Sequence, residues 1–160
     1  MIFVVLGTQK FQLNRLLKKI DILIEKGMIK EKVFAQIGMS DYIPVYYDYQ
    51  EFLTKERFDQ MMESCDILIT HSGVGSIISG LKYRKRVIVF PRLMKYGEHV
   101  DDHQTEIADT FSKMNYVLAC NERDDLGMLL EECRVHRFDE YISQRKKMLH
   151  IVKDYLDHIE

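Results

Sequence analysis

Short apolar runs recur along this chain, and between them lie stretches whose apolar positions return every three or four residues. Runs of strand length cover residues 2–6, 32–37, 43–47, 66–70, 86–90 and 116–119. Leu13, Leu16, Leu17, Ile20, Leu23 and Ile24 repeat at helical spacing, as do Phe58, Met61, Met62 and Cys65. A C-terminal stretch, residues 139–160, sets Ile142, Leu149, Val152, Tyr155, Leu156 and Ile159 on roughly one face, and it is predicted to be an amphipathic helix. Strand and helix alternate over the whole length, which predicts an α/β, Rossmann-like, doubly wound and mainly parallel sheet in one domain over residues 1–160. Right-handed crossovers put the ligand site of such a sheet at the carboxyl ends of its strands. The longest loop, residues 91–100, follows one of those ends and leads into a helix that Asp101 or Asp102 caps.

Composition narrows the function classes. With 46% hydrophobic and 30% charged residues the chain reads as an ordinary globular domain, and a net charge of -2 leaves no electrostatic footprint for nucleic acid. Three cysteines, Cys65, Cys120 and Cys133, are an odd number without CxxC spacing, so neither a disulfide framework nor a zinc site is expected, and the compartment expected is a reducing cytoplasm. The apolar start at residues 2–6 is too short for a signal or a span, and no later run approaches 18 apolar residues; membrane contact is expected only peripherally or through a partner. The basic run 82–86 is either the solvated C-terminal end of a helix or a face for anionic lipid or a partner.

Chemistry concentrates in two turns at predicted strand ends. Thr70-His71-Ser72-Gly73-Val74-Gly75-Ser76 passes from an apolar strand through small residues into a helix, so backbone N–H groups with partial positive charge stand free to hold a diphosphate. Gly7-Thr8-Gln9 ends the first strand and faces the same crevice. No third glycine follows Gly75 at the spacing of the dinucleotide fingerprint, which disfavours a nicotinamide enzyme. His71, His99 and His103 invite a metal reading, yet no HExxH or carboxylate pattern completes a site. Gln104 offers both a donor and an acceptor to sugar hydroxyls, and Asp102 offers either an acceptor to the same ligand or a helix cap.

Taken in order, residues 70–76, 87–92 and Asp102-His103-Gln104-x-Glu106-Ile107-Ala108 resemble the C-terminal, nucleotide-sugar-binding domain of family 28 glycosyltransferases, of which MurG is a full-length member. The resemblance covers nearly the whole chain and implies half of a GT-B enzyme, with the acceptor-binding half on a separate polypeptide. It extends to split members: the donor half of the eukaryotic UDP-GlcNAc transferase acting on dolichol-linked sugar, and the bacterial exopolysaccharide and capsule proteins of the PssE, EpsF and CpsG type. The latter share Gly7-Thr8-Gln9-x-Phe11 and Pro91-Arg92 through Gly97-Glu98-His99-Val100-Asp101-Asp102-His103-Gln104.

What the resemblance implies is the UDP-sugar-binding subunit of a two-component inverting hexosyltransferase. The expected reaction is β-1,4-galactosyl transfer from UDP-Gal to a lipid-linked sugar. The implied partner is a membrane-anchored acceptor-binding subunit of the PssD type, holding the chain at the cytoplasmic face, and no cofactor or metal is expected. Gly73, Val74, Gly75, Ser76, Ser72 and His71 are expected around the diphosphate, with Gly7, Thr8 and Gln9 opposite. Phe52 and Leu53 are expected against uracil, and Asp102, His103 and Gln104 near the sugar. Ser79 stands where the family has a ribose-binding Glu. The general base is expected on the partner, with His99 the candidate within this chain. Three readings stay open beside galactosyl transfer: a UDP-GlcNAc transferase donor half, a non-catalytic enhancer of a membrane-bound transferase, and a fragment of a different nucleotide-binding enzyme such as an epimerase.

Overall fold

Six strands form a single all-parallel sheet in a computed structural model that describes residues 1–144. In chain order the elements are β1 (Ile2–Val5), α1 (Asn14–Glu25), β2 (Val33–Gln36), β3 (Asp48–Gln50), α2 (Lys55–Ser64), β4 (Ile67–Thr70), α3 (Val74–Lys82), β5 (Arg86–Val89), a 3-10 turn (Met94–Tyr96), α4 (His103–Lys113), β6 (Leu118–Ala119) and α5 (Leu126–Val135). The strand order is β3-β2-β1-β4-β5-β6, so the winding direction reverses between β1 and β4. That reversal opens a crevice beyond the carboxyl ends of those two strands.

Alternation along β1 divides the core. Ile2 and Val4 pack with Leu16, Leu17, Ile20 and Leu23 of α1 and with Leu126, Leu130 and Cys133 of α5. Phe3 and Val5 point the other way, against Met62 of α2, Ile77 and Leu81 of α3, and Ala108 of α4. The central strands are therefore buried on both faces, which is why their sequences read as unbroken apolar runs.

Two elements differ from the sequence-based expectation. The apolar run 43–47 is a loop, and the third strand is Asp48–Gln50 just after it. Pro44 has no N–H to give a ladder. The amides of Val45 and Tyr46 instead donate to the buried Asp21 carboxylate of α1, each at 2.9 Å, and the Tyr42 hydroxyl donates to it at 2.7 Å. Helix α5 was not anticipated, although Asp125 accepts from the Met128 amide at 3.0 Å as its cap and Leu126, Leu130 and Cys133 recur at helical spacing. Of the amphipathic helix expected over residues 139–160, positions 139–144 are not helical, and the remainder lies outside the described residues. Burial raises the thiol pKa of Cys65 to about 11 and those of Cys120 and Cys133 to about 12, which keeps all three protonated.

Because Asp21 collects three donors from one loop, Asp21→Ala is expected to lower unfolding stability by about 3 kcal/mol, measured by urea denaturation. An effect below about 1 kcal/mol would show that the loop holds itself.

Candidate functional site

The two turns predicted from sequence do meet, at the reversal point. β4 ends in Thr70, whose hydroxyl donates to the Val5 carbonyl at 2.8 Å, and the His71 amide donates to the same carbonyl, so the two strand ends are tied together. The His71 side chain then turns back into the protein and lies between two glycines. A Cβ on Gly7 would stand 2.6 Å from His71 Nε2, and one on Gly73 would stand 2.7 Å from it, so the ring occupies space that any larger residue would need. Gly7 is also in the left-handed region at φ 74°, which is strained for a residue with a side chain.

What holds the ring is Arg92, fully buried just after β5. Its Nη1 donates to His71 Nδ1 at 2.9 Å, and its Nη2 donates to the carbonyls of Leu6 at 2.7 Å and Phe11 at 3.0 Å. The nearest acid with an electrostatic effect on it is Glu98, whose carboxylate is already held by Arg15 through Nε and Nη2, both at 3.0 Å. Burial lowers the Arg92 pKa to about 10, so the group is still a cation at neutral pH. The same Glu98 accepts from the Leu93 amide at 2.8 Å, and the Arg15 guanidinium sits 4.4 Å from the Phe90 ring and 4.9 Å from the Tyr96 ring. The loop after β5 is thus pinned to α1 by a buried ion pair and two ring faces.

Gln104 of α4 closes the group from above. Its Oε1 accepts from the Ser72 amide at 3.2 Å and the Arg92 amide at 3.0 Å, and its Nε2 lies 3.2 Å from His71 Nδ1. Gln104, expected near the sugar, is buried, with both ends of its amide bonded within the protein. Asp102 accepts from the Met94 amide at 2.8 Å and steadies the preceding loop, while Asp101 accepts from the His103 amide at 3.0 Å at the start of α4.

The other anticipated residues divide by exposure. Thr8, Gln9, Val74 and Gly75 are exposed, and Ser76 is half-buried. Helix α3 begins after Gly73 without a side-chain cap and without an acid in its first turn, so its leading amides face the crevice. Phe52 is exposed beyond β3, whereas Leu53 packs into the core and donates its amide to Gln36 Oε1 at 3.1 Å. Ser79 donates its hydroxyl to the Gly75 carbonyl at 2.8 Å, so its hydrogen is engaged within α3. Ser72 is fully buried, and its hydroxyl has no partner among the described residues. His99 stacks on Phe11 with ring centroids 4.6 Å apart and has Asp101 at 3.1 Å, while His103 has Glu106 at 3.1 Å. Arg15 does not enter the sequence reading, and Arg92 and Glu98 enter it only within the resemblance motif, with no role assigned to either. The signal available was a charged residue directly after the apolar run 87–91, which is costly there unless partnered.

The chain matches the glycosyltransferase family 28 C-terminal domain over residues 1–159. A UDP-N-acetylglucosamine transferase subunit ALG13 from Candida albicans is 36% identical over 67 residues, which is 42% of this chain and 22% of that protein. The chain thus spans about a fifth of the length of that curated relative. Among solved structures, the solution structure of ALG13 superposes with a TM-score of 0.59 at 19% identity, covering 94% of this chain and 93% of that one. MurG from Acinetobacter baumannii gives 0.55 at 15% identity, covering 81% of this chain and 39% of that one. Both share the fold.

Burial lowers the His71 pKa from 6.5 to about 3, with the neighbouring Arg92 charge acting in the same direction. The unfolded chain therefore takes up this proton near pH 6.5 and the folded one only near 3, so the stability due to the neutral ring is complete above 6.5 and is lost as pH falls toward 3. His71→Gln is expected to unfold with a shallower loss of stability between pH 6.5 and 4.5, by up to about 1.4 kcal/mol per pH unit, in urea titrations at each pH. Parallel curves for the two proteins would show that the ring is not held neutral.

Proposed function

Because this chain belongs to the glycosyltransferase family 28 C-terminal domain family, we propose that it is the UDP-sugar-binding subunit of an inverting glycosyltransferase whose acceptor half lies on a partner. The observation that carries this reading is the uncapped start of α3 at the sheet reversal, backed by the His71 ring and the Arg92 cation. Charge grows on the UDP diphosphate as the glycosidic bond breaks, and preorganised amides with a fixed positive charge behind them stabilise it without reorganisation. Gly73, Val74, Gly75 and Ser76 supply the amides, Thr8 and Gln9 line the opposite wall, and exposed Phe52 offers a face to the base. In this reading neither cofactor nor metal takes part, since the helix end and the buried cation carry the electrostatic role.

The acceptor is a lipid-linked saccharide, and the partner is a membrane-bound subunit that supplies the base and keeps this chain at the cytoplasmic face. No helix among the described residues is long and apolar enough to cross a membrane, which fits attachment through such a partner. For the hexose, resemblance to the exopolysaccharide and capsule group favours β-1,4-galactosyl transfer from UDP-Gal. The name of the Candida albicans relative favours a second reading, with UDP-N-acetylglucosamine as donor.

Gly75→Asp separates binding from folding. A side chain there meets nothing within 4 Å, and an acid in the first turn of a helix is tolerated by the dipole. The variant is expected to keep its thermal midpoint while losing UDP binding by at least about tenfold in calorimetric titration, as a carboxylate facing a diphosphate requires. Unchanged UDP affinity, or wild-type binding with no preference for UDP over ADP, overturns the donor-site reading. Transfer from labelled UDP-Gal and UDP-GlcNAc to lipid acceptor, with and without partner membranes, then selects the hexose. Stimulation of the partner by a chain that binds neither donor would make it an enhancer.

A further inference from the structure

The arrangement around His71 fixes more than its position. Gln104 Oε1 accepts from two backbone amides, Ser72 and Arg92, which cannot reverse their roles, so the side-chain amide can only present its NH2 group to His71. Arg92 is likewise only a donor, and it approaches the same ring nitrogen. With two donors directed at it, Nδ1 must be the acceptor, and the ring hydrogen belongs on Nε2. That nitrogen lies close against Gly7 and Gly73, 2.6 and 2.7 Å from where a Cβ on each would stand, so only glycine leaves room for it at the two turns. It has no hydrogen-bond partner among the described residues, although His71 is only 6% exposed.

Resting on the donor-site reading above, we propose that Arg92 and Gln104 are positioning residues that hold His71 as a permanent hydrogen-bond donor, its Nε2–H aimed between Gly7 and Gly73 at an anionic oxygen of the nucleotide diphosphate. Both are buried behind the ring. Arg92 acts through the ring, and Gln104 couples the ring to α4 and to the Ser72 amide. The charged and titratable neighbours that bear on the ring are Arg92 from the segment after β5 and His99 from the loop before α4, the latter facing Asp101; Gln104 is the neutral contribution of α4, and β1 brings only Gly7. The Arg92 charge and the electrostatic effect of His99 both oppose a second proton on the ring. The donor geometry is therefore insensitive to pH across the physiological range.

Two-bond proton–nitrogen NMR on the labelled full chain reads the ring state without any ligand. The wild type is expected to show a proton on Nε2 and none on Nδ1, unchanged from pH 5 to 8. Gln104→Glu keeps an oxygen for the two backbone amides but turns a carboxylate oxygen toward Nδ1. It is expected to draw a second proton onto the ring, which then titrates within that range. Arg92→Lys, which cannot hold Leu6, Phe11 and His71 together, is expected to populate the Nδ1–H form as well. UDP-galactose and UDP-N-acetylglucosamine, whose diphosphate diesters do not titrate here, serve as probes. Affinity for the wild type is expected to stay constant between pH 5.5 and 8, while Gln104→Glu gains a dependence of about tenfold, tighter on the acid side. A wild-type ring protonated on Nδ1, a ring titrating between pH 5 and 8, or ring signals unaltered by both substitutions would overturn the proposal. The expected ring state with neither UDP-sugar bound at any pH overturns instead the donor-site reading, and with it the ligand at which the ring is aimed.

Discussion

A guanidinium taken out of water has to find a hydrogen-bond acceptor for nearly every N–H, and the fold around Arg92 is arranged by that demand. Three of its bonds go to groups on different elements: the Leu6 and Phe11 carbonyls flanking the turn after β1, and His71 at the end of β4. Its own amide is held by Gln104 of α4. The two turns that form the crevice are therefore positioned from behind by one side chain, and neither can move without breaking a buried charged hydrogen bond. Of its nitrogens, Nε alone has no partner among the described residues. Such a group has no net stabilising value that packed apolar residues could not match, so its occurrence at the sheet reversal points to the ligand site rather than to stability.

The charge balance sharpens the point. Glu98 is buried close enough to act on Arg92, yet its carboxylate is gripped by Arg15, so the trio carries one positive charge in excess. The positive end of α3 lies on the crevice side of the same turn, with no acid in its first turn to offset it. Two sources of positive potential, one a dipole and one a full charge, thus face the same space. In an environment of reduced dielectric each is felt more strongly by an anion there than it would be in water.

How much of this could be read from the sequence depended on the range of the interaction. The central strands, α1 and α2 follow from local periodicity, and the starts of α3 and α4 follow from local composition, the small-residue turn at Gly73 and the acids at Asp101 and Asp102. The run 43–47 misled because its strand-like apolarity was overruled by Asp21, more than twenty residues earlier, which takes the amides of Val45 and Tyr46. Gln104 was recognised as a residue of interest but assigned to a ligand, since nothing in the neighbouring sequence shows that Ser72, Arg92 and His71 converge on it. The pairing of Arg15 with Glu98 spans 83 positions and is similarly invisible to any local pattern. Helix α5 was missed for the opposite reason: its apolar stripe is narrow, and a longer periodic stretch downstream drew the assignment.

The division between buried and exposed groups has a consequence for how such a site diversifies. His71, Arg92 and Gln104 are each at least nine-tenths buried and bonded to one another, and the equally buried Glu98 is bonded to Arg15 and the Leu93 amide, so changing any of them disturbs the turns themselves. Thr8, Gln9, Phe52, Val74 and Gly75 are exposed at the rim, and replacing them leaves the buried bonds intact. In the reading proposed above, an anionic group is met by the backbone amides of residues 73–76 with the buried groups behind them, and discrimination among ligands that share that group falls to the rim side chains and the loop from Met94 to Asp102. That loop is itself held at both ends, by Glu98 on the Leu93 amide and by Asp102 on the Met94 amide, while Met94 and Val100 remain open to solvent. In that reading, a site built this way can change which sugar or partner it meets without rebuilding the part assigned to the diphosphate.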